Sequence, residues 1–254
     1  MHHGSIFESK VAKSTGLSSA PGLTQRFSSF TMKKALFALL ISAATLGTAS
    51  AQVEIGLKVS PSLTSLRAAS PNGDELNSES AKFSLGGGII VDYFFGQNYA
   101  FSTGLELVGK GGKVSYFDNA SKQRYEQKIG LQYLQVPLTV KLFTNDVAED
   151  TKVYFQLGGA LGGVIGARVD GEKYYTNPVT TNRTKATKHV IIPDANLRLG
   201  AGIERQLGQT TRFLLGVSYH RGLLNIDKYF EDNAGIKDAE LKNSEFALDF
   251  GIKF

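Results

Sequence analysis

From Val53 onward, apolar and polar residues alternate along most of the chain. Val53, Ile55, Leu57 and Val59 fall at alternate positions, and so do Phe83, Leu85, Ile89, Val91, Tyr93 and Phe95, mostly with small or charged residues between them. A period of two places successive side chains on opposite faces of a strand. Eight such runs are predicted, near 53–63, 81–95, 99–116, 128–143, 152–169, 190–205, 212–224 and 244–254. The last carries Phe246, Leu248, Phe250, Ile252 and Phe254 on one face and Ala247, Asp249, Gly251 and Lys253 on the other. The run at 128–143 is the least regular. Leu131 and Tyr133 are odd while Leu134 to Leu142 are even, which predicts a bulge near Tyr133 and Leu134. Pro137 falls inside the same strand, where it removes a ladder donor.

The connections sort by length. Those at 96–98, 144–151 and 206–211 are short, while those at 64–80, 118–127, 170–189 and 225–243 are mostly longer and polar. Many runs reach the roughly nine to eleven residues that a tilted strand needs to cross a bilayer. An even strand number with short turns at one end and long loops at the other is the pattern of a transmembrane barrel. The predicted fold is therefore all-β: an eight-stranded antiparallel up-and-down transmembrane β-barrel with a filled polar interior. Tyr93, Phe95, Tyr99, Phe101, Phe213, Tyr219 and Phe254 lie near strand ends, as in the aromatic girdles of such barrels. The alternative is a soluble sandwich or lipocalin-like barrel whose apolar face is core. Phe250, Ile252 and Phe254 resemble the C-terminal insertion signal of bacterial outer-membrane barrels.

The N-terminal segment reads as an address. Lys33 and Lys34 precede an apolar stretch at 35–44, and Ala49-Ser50-Ala51 forms a small-residue cleavage site, so the mature chain is expected to start at Gln52. Residues 1–31 are Ser-rich and unpatterned. They read as an upstream, non-native extension before a natural start at Met32, with a long n-region as the competing reading. The expected organisation is thus an extension at 1–31, a signal peptide at 32–51 and a barrel domain at 52–254. The formal charge of +5 belongs mostly to that segment. Without its five basic residues and one acidic residue, the totals of 28 and 23 become 23 and 22. Nucleic acid is therefore not an expected partner. With no Cys, disulfides and thiolate metal sites are excluded.

The second face of the strands mixes small residues with charges of both signs. Glu54, Lys58, Asp92, Glu106, Lys110, Arg168, Arg198, Glu204, Arg212, His220, Asp249 and Lys253 are predicted to point inward. An eight-stranded barrel is just wide enough for side chains to fill it, and unpaired buried charges are costly. These residues are expected to form an ion-paired plug, without an open pore. No nucleotide, zinc or calcium motif is present, and neither cofactor nor metal is expected. Asp227, Glu231, Asp232 and Asp238 match no calcium cage. Ser218, His220, Glu204 and Asp249 have the makeup of an acyl-transfer site, but a buried structural His is the favoured reading, so no catalytic residue is assigned. The 170–189 loop carries Tyr174, Tyr175, Asn177, Arg183, Lys185 and Lys188, a mixture suited to lipopolysaccharide phosphates or a surface partner, although a polar mobile loop is the favoured reading.

The segment 132–141, Gln-Tyr-Leu-Gln-Val-Pro-Leu-Thr-Val-Lys, resembles the Y-L-x-[IV]-P-L-x-x-K segment of PorT-like outer-membrane β-barrels of bacteroidete-type Gram-negative bacteria. The opening Glu54-Ile55-Gly56-Leu57-Lys58, the Phe101-Ser102-Thr103-Gly104-Leu105 strand and the closing Gly251-Ile252-Lys253-Phe254 also match. The resemblance implies a small barrel in the outer membrane, exported through a cleaved signal peptide. It also implies, as partners, outer-membrane lipid and lipopolysaccharide, the barrel-assembly machinery during insertion, and a surface or secretion partner at the long loops. The expected protein is a monomer with a non-enzymatic structural, adhesion or assembly role. A PorT-like accessory of protein secretion or gliding and a lipid-modifying enzyme are the alternatives.

Overall fold

The computed structural model describes residues 52–70, 76–118, 121–176, 181, 183–230 and 236–254. The signal segment with Ala49 and Ala51, the 1–31 extension, Asn177, Glu231 and Asp232 lie outside the described residues.

Eight long strands follow one another: β1 Val53–Ala69, β2 Lys82–Gly96, β3 Tyr99–Asp118, β4 Gln123–Phe143, β5 Thr151–Val169, β6 Pro193–Gln206, β7 Arg212–Gly222 and β8 Glu240–Lys253. Each pairs antiparallel with the next, and β1 pairs with β8, so the sheet closes on itself. A short strand, Leu76–Ser78, adds to β3, and Tyr174–Thr176 pairs with Arg183–Lys185 in a separate small hairpin.

The apolar parity faces outward. Leu57, Phe83, Leu157 and Phe254 are each about 60% exposed or more. A soluble fold would leave such a belt unsolvated by anything but water, at about 25 cal/mol per Å². The interior holds the opposite parity, with Asp92, Lys253 and Gln135 fully buried.

Three expectations need correction. The 118–127 connection is not a long loop. β3 and β4 run on to Asp118 and from Gln123, so a hairpin of 20- and 21-residue strands stands at the long-loop end. β4 itself keeps one parity throughout, because Leu131 and Tyr133 are buried apolar residues that face inward. The bulge sits on the facing strand: Gln132 is opposite Gly166 but Tyr133 is opposite Val164, which leaves Ile165 as the extra residue of β5. That bulge moves Arg168 out of the barrel. Past Ile165 the parity of β5 flips, Ala167 turns inward and Arg168 is exposed. Pro137 is accommodated by a gap in the ladder. Pairing with β3 holds at Leu138 with Thr103 and at Gln135 with Glu106 but lapses between them, where Gly104 faces Pro137 at φ 154°.

Both faces exchange chemistry part-way up the barrel. On β4 the outward residues from the short-turn end are Leu142, Val140, Leu138, Val136 and Leu134, then Gln132, Gly130, Lys128, Glu126 and Arg124. The inward residues are Lys141, Thr139 and Gln135, then Tyr133, Leu131 and Ile129. β1 changes between Thr64 and Leu66, and β8 between Asn243 and Leu241. Leu134 and Leu142 are about 27 Å apart along the strand, or about 20 Å in height at the usual tilt, close to the apolar band of an outer-membrane barrel.

Candidate functional site

The polar interior is built in tiers. Nearest the short turns, Lys253 Nζ lies 3.0 Å from Glu54, 2.9 Å from Asp92 and 2.5 Å from Glu204. Lys141 adds contacts of 2.7 Å to Asp92 and 3.4 Å to Glu204, and Arg212 sits 2.7 Å from Glu54 at the rim. Three carboxylates thus meet three cations drawn from six strands. In the middle tier, Glu106 is held by Lys58 and Arg198, both at 2.7 Å. Asp249 accepts from Ser60 and Ser218 at 2.6 Å and lies 3.4 Å from Lys58. Above, Lys110 meets Asp194 at 3.2 Å and His220 meets Glu245 at 2.9 Å. Apart from Glu245, which is bonded to the His220 imidazole, each charge has a partner of opposite sign, which is what makes so many buried charges tolerable.

Glycines give the long side chains their room. A Cβ on Gly56 would fall 2.7 Å from Lys253 Cγ, and one on Gly202 would fall 2.7 Å from the Tyr154 ring. The cavity left among Lys58, Glu106, Lys141, Tyr154 and Asp249 measures about 10 Å³, the space of a single water. Phe94 and Phe143 stack at 5.4 Å across the short-turn mouth, with Lys253 Nζ 5.7 Å from the Phe94 ring centre. At the other end the loops fold inward as an apolar cap. Phe230 packs on Tyr116 at 5.1 Å, and Tyr175 meets Tyr229 edge-on at 5.2 Å. Gln127 donates to the Tyr175 hydroxyl at 2.6 Å, and that hydroxyl lies 2.9 Å from the Tyr229 hydroxyl. Burial pushes both phenols above their ordinary range, so they stay protonated at neutral pH.

Eleven of the twelve residues predicted to point inward share this space: Glu54, Lys58, Asp92, Glu106, Lys110, Arg198, Glu204, Arg212, His220, Asp249 and Lys253. Arg168 is elsewhere, as described. Phe250, Ile252 and Phe254 face outward on or just beyond β8. Sequence reasoning missed Lys141, Asp194, Glu245 and Gln135. Lys141 and Gln135 have the inward parity opposite Leu134 to Leu142, and Glu245 has that of Asp249, so the signal was present. The apolar cap was also missed, although Ile226, Tyr229, Phe230 and Ile236 interrupt the loop read as polar.

Ser218 donates to Asp249, not to His220, whose Nδ1 meets Glu245 instead, so the four residues weighed for acyl transfer form no nucleophile–base pair. Asp227 accepts backbone N–H groups of Tyr229 and Phe230 at 3.0 and 3.2 Å. Among the described residues no cluster of His, Cys, Asp or Glu is placed to hold a metal ion.

Residues 43–228 match the family model described as "Outer membrane protein beta-barrel domain". The chain belongs to this outer-membrane β-barrel family. No curated protein matches it. Among solved structures, the family member is similar to neisserial surface protein A at 10% identity, over 81% of this chain and 100% of that one, with a TM-score of 0.44. It is similar to Ail, the attachment invasion locus protein of Yersinia pestis, at 14% identity over 80% and 99%, with a TM-score of 0.39. OprG from Pseudomonas aeruginosa follows at 12% identity over 80% and 97%, with a TM-score of 0.43.

Proposed function

We propose that this outer-membrane barrel is a closed, non-enzymatic scaffold that presents its long-loop end at the cell surface, in a structural, adhesion or assembly role. The observation that carries this reading is the filled interior. Paired charges occupy the membrane level, an aromatic floor lies below them and an apolar cap lies above. A solute has no path through it, and the buried charges are engaged with one another. What remains for recognition is the outside of the barrel and its loops. Purified protein in planar bilayers is expected to give no sustained single-channel current; a steady conductance would refute the closed scaffold. Residues 32–51 act in this reading as a signal peptide, with N-terminal sequencing of the exported protein starting at Gln52; a start far from it would sink that part.

A second reading is a PorT-like accessory of secretion or gliding, favoured by the segment around Tyr133, Pro137 and Lys141. Deleting the gene would then block export of other proteins; normal export in the deletion strain would dismiss it.

A further inference from the structure

A groove of about 1040 Å³ runs across the outer wall of the barrel, where the apolar band gives way to the polar upper section. Its floor is recessed because Gly87, Gly109, Gly130 and Gly166, on four successive strands, bring no side chains to it. Leu85, Leu107 and Ile165 line its lower part, continuous with the lipid-facing belt. Its upper border is basic: Lys82 from β2, Arg168 from β5, and Lys173 and Lys185 from the loop beyond. No carboxylate among the described residues lines it. Among the described residues none of the four cations has a carboxylate partner, in contrast to the interior, where each cation has one. Lys82 extends over β3 towards β4, since a Cβ on Gly130 would fall 3.1 Å from its Nζ. The charge that acts on Lys82 there, Lys128, has the same sign.

We propose that this groove binds a phosphorylated, acylated glycolipid of the outer leaflet, of the lipid A type, with phosphate among Lys82, Arg168, Lys173 and Lys185 and an acyl chain along the glycine floor. Phosphate recognition needs clustered Lys and Arg without competing acids. The chain needs an apolar trough opening downward into the bilayer, and headgroups sit at the level where these two features meet. The bulge at Ile165 has a role here: by flipping the parity of β5 it takes Arg168 out of the barrel and sets it on the border of the groove. The proposal rests on the long-loop end facing outward. That orientation is tested separately, by whether protease added to whole cells cuts the loops.

The test uses the full barrel in a phosphate-free non-ionic detergent, with binding read by native mass spectrometry. Bisphosphorylated lipid A is expected to bind at least about tenfold more tightly than its dephosphorylated form. The variant K82Q/R168Q/K173Q/K185Q is expected to abolish that preference, and each single variant to reduce it about threefold, in keeping with partly exposed charges. Gly166→Leu, which fills the floor and leaves the charges, is expected to weaken both lipids. K122Q/R124Q, at the β3–β4 turn, is expected to change nothing. Heat-modifiable gel mobility verifies that each variant is folded. Equal binding of the two lipids, a quadruple variant that retains the preference, or full displacement by millimolar inorganic phosphate would overturn the proposal.

Discussion

Towards the short turns, β4 points Leu134, Val136, Leu138, Val140 and Leu142 outward and Gln135, Thr139 and Lys141 inward; towards the loops it points Arg124, Glu126 and Lys128 outward and Ile129, Leu131 and Tyr133 inward. The lower section is inside-out relative to a soluble protein, and the upper section has the ordinary arrangement. One strand serves both because its parity never changes; only the solvent on each side does. In the lower section lipid rewards apolar residues outside, and the enclosed polar groups must satisfy each other. In the upper section water surrounds the barrel, and the hydrophobic effect draws Phe230, Ile236 and Tyr175 into its mouth.

The two sections should therefore fail differently. The largest effect is expected from Lys253→Met. It strips the shared cation from Glu54, Asp92 and Glu204 and should cost about 3–5 kcal/mol, read as loss of the folded, heat-modifiable form. Adding Asp92→Asn, which removes one of the stranded charges, should recover part of it. Phe230→Ala removes a fully buried ring from the cap and should cost a similar 3–5 kcal/mol, but locally. Loop cleavage by protease should accelerate while heat-modifiable mobility persists. If Phe230→Ala abolished the folded barrel, the two sections would not be separable. A smaller contrast is expected on the outer wall. Val136→Lys, within the apolar band, should cost about 2–4 kcal/mol in folding titrations into lipid, against about 0–1 for Glu126→Lys. Equal costs would place the membrane boundary elsewhere.

Much of this was legible in the chain itself, because a period of two survives both environments. Strand number, outward belt and most interior charges follow from parity alone. Parity failed where one residue was inserted: nothing in Gly162 to Val169 marks Ile165 as the extra position, so Arg168 was placed on the wrong side. It was also misread where the chemistry of the faces reversed. Leu131 and Tyr133 are out of phase with Leu134 only if apolar means outward, whereas at their level apolar means inward. The cap lay beyond periodicity altogether, since Tyr175 and Phe230 reach the core from loops. Their apolar character was visible, but the long-range packing on Tyr116 was not.

The reversal on β4 can be measured residue by residue, because the chain has no cysteine of its own. Single cysteines at every outward position from Arg124 to Leu142, spin-labelled in reconstituted bilayers, report collision with oxygen dissolved in lipid or with a water-soluble nickel chelate. Labels at Leu134, Val136, Leu138, Val140 and Leu142 should be reached by oxygen and shielded from nickel, and those at Arg124, Glu126 and Lys128 should show the reverse, with the crossover at Gln132. Nickel access throughout Leu134 to Leu142 would contradict a membrane-spanning lower section.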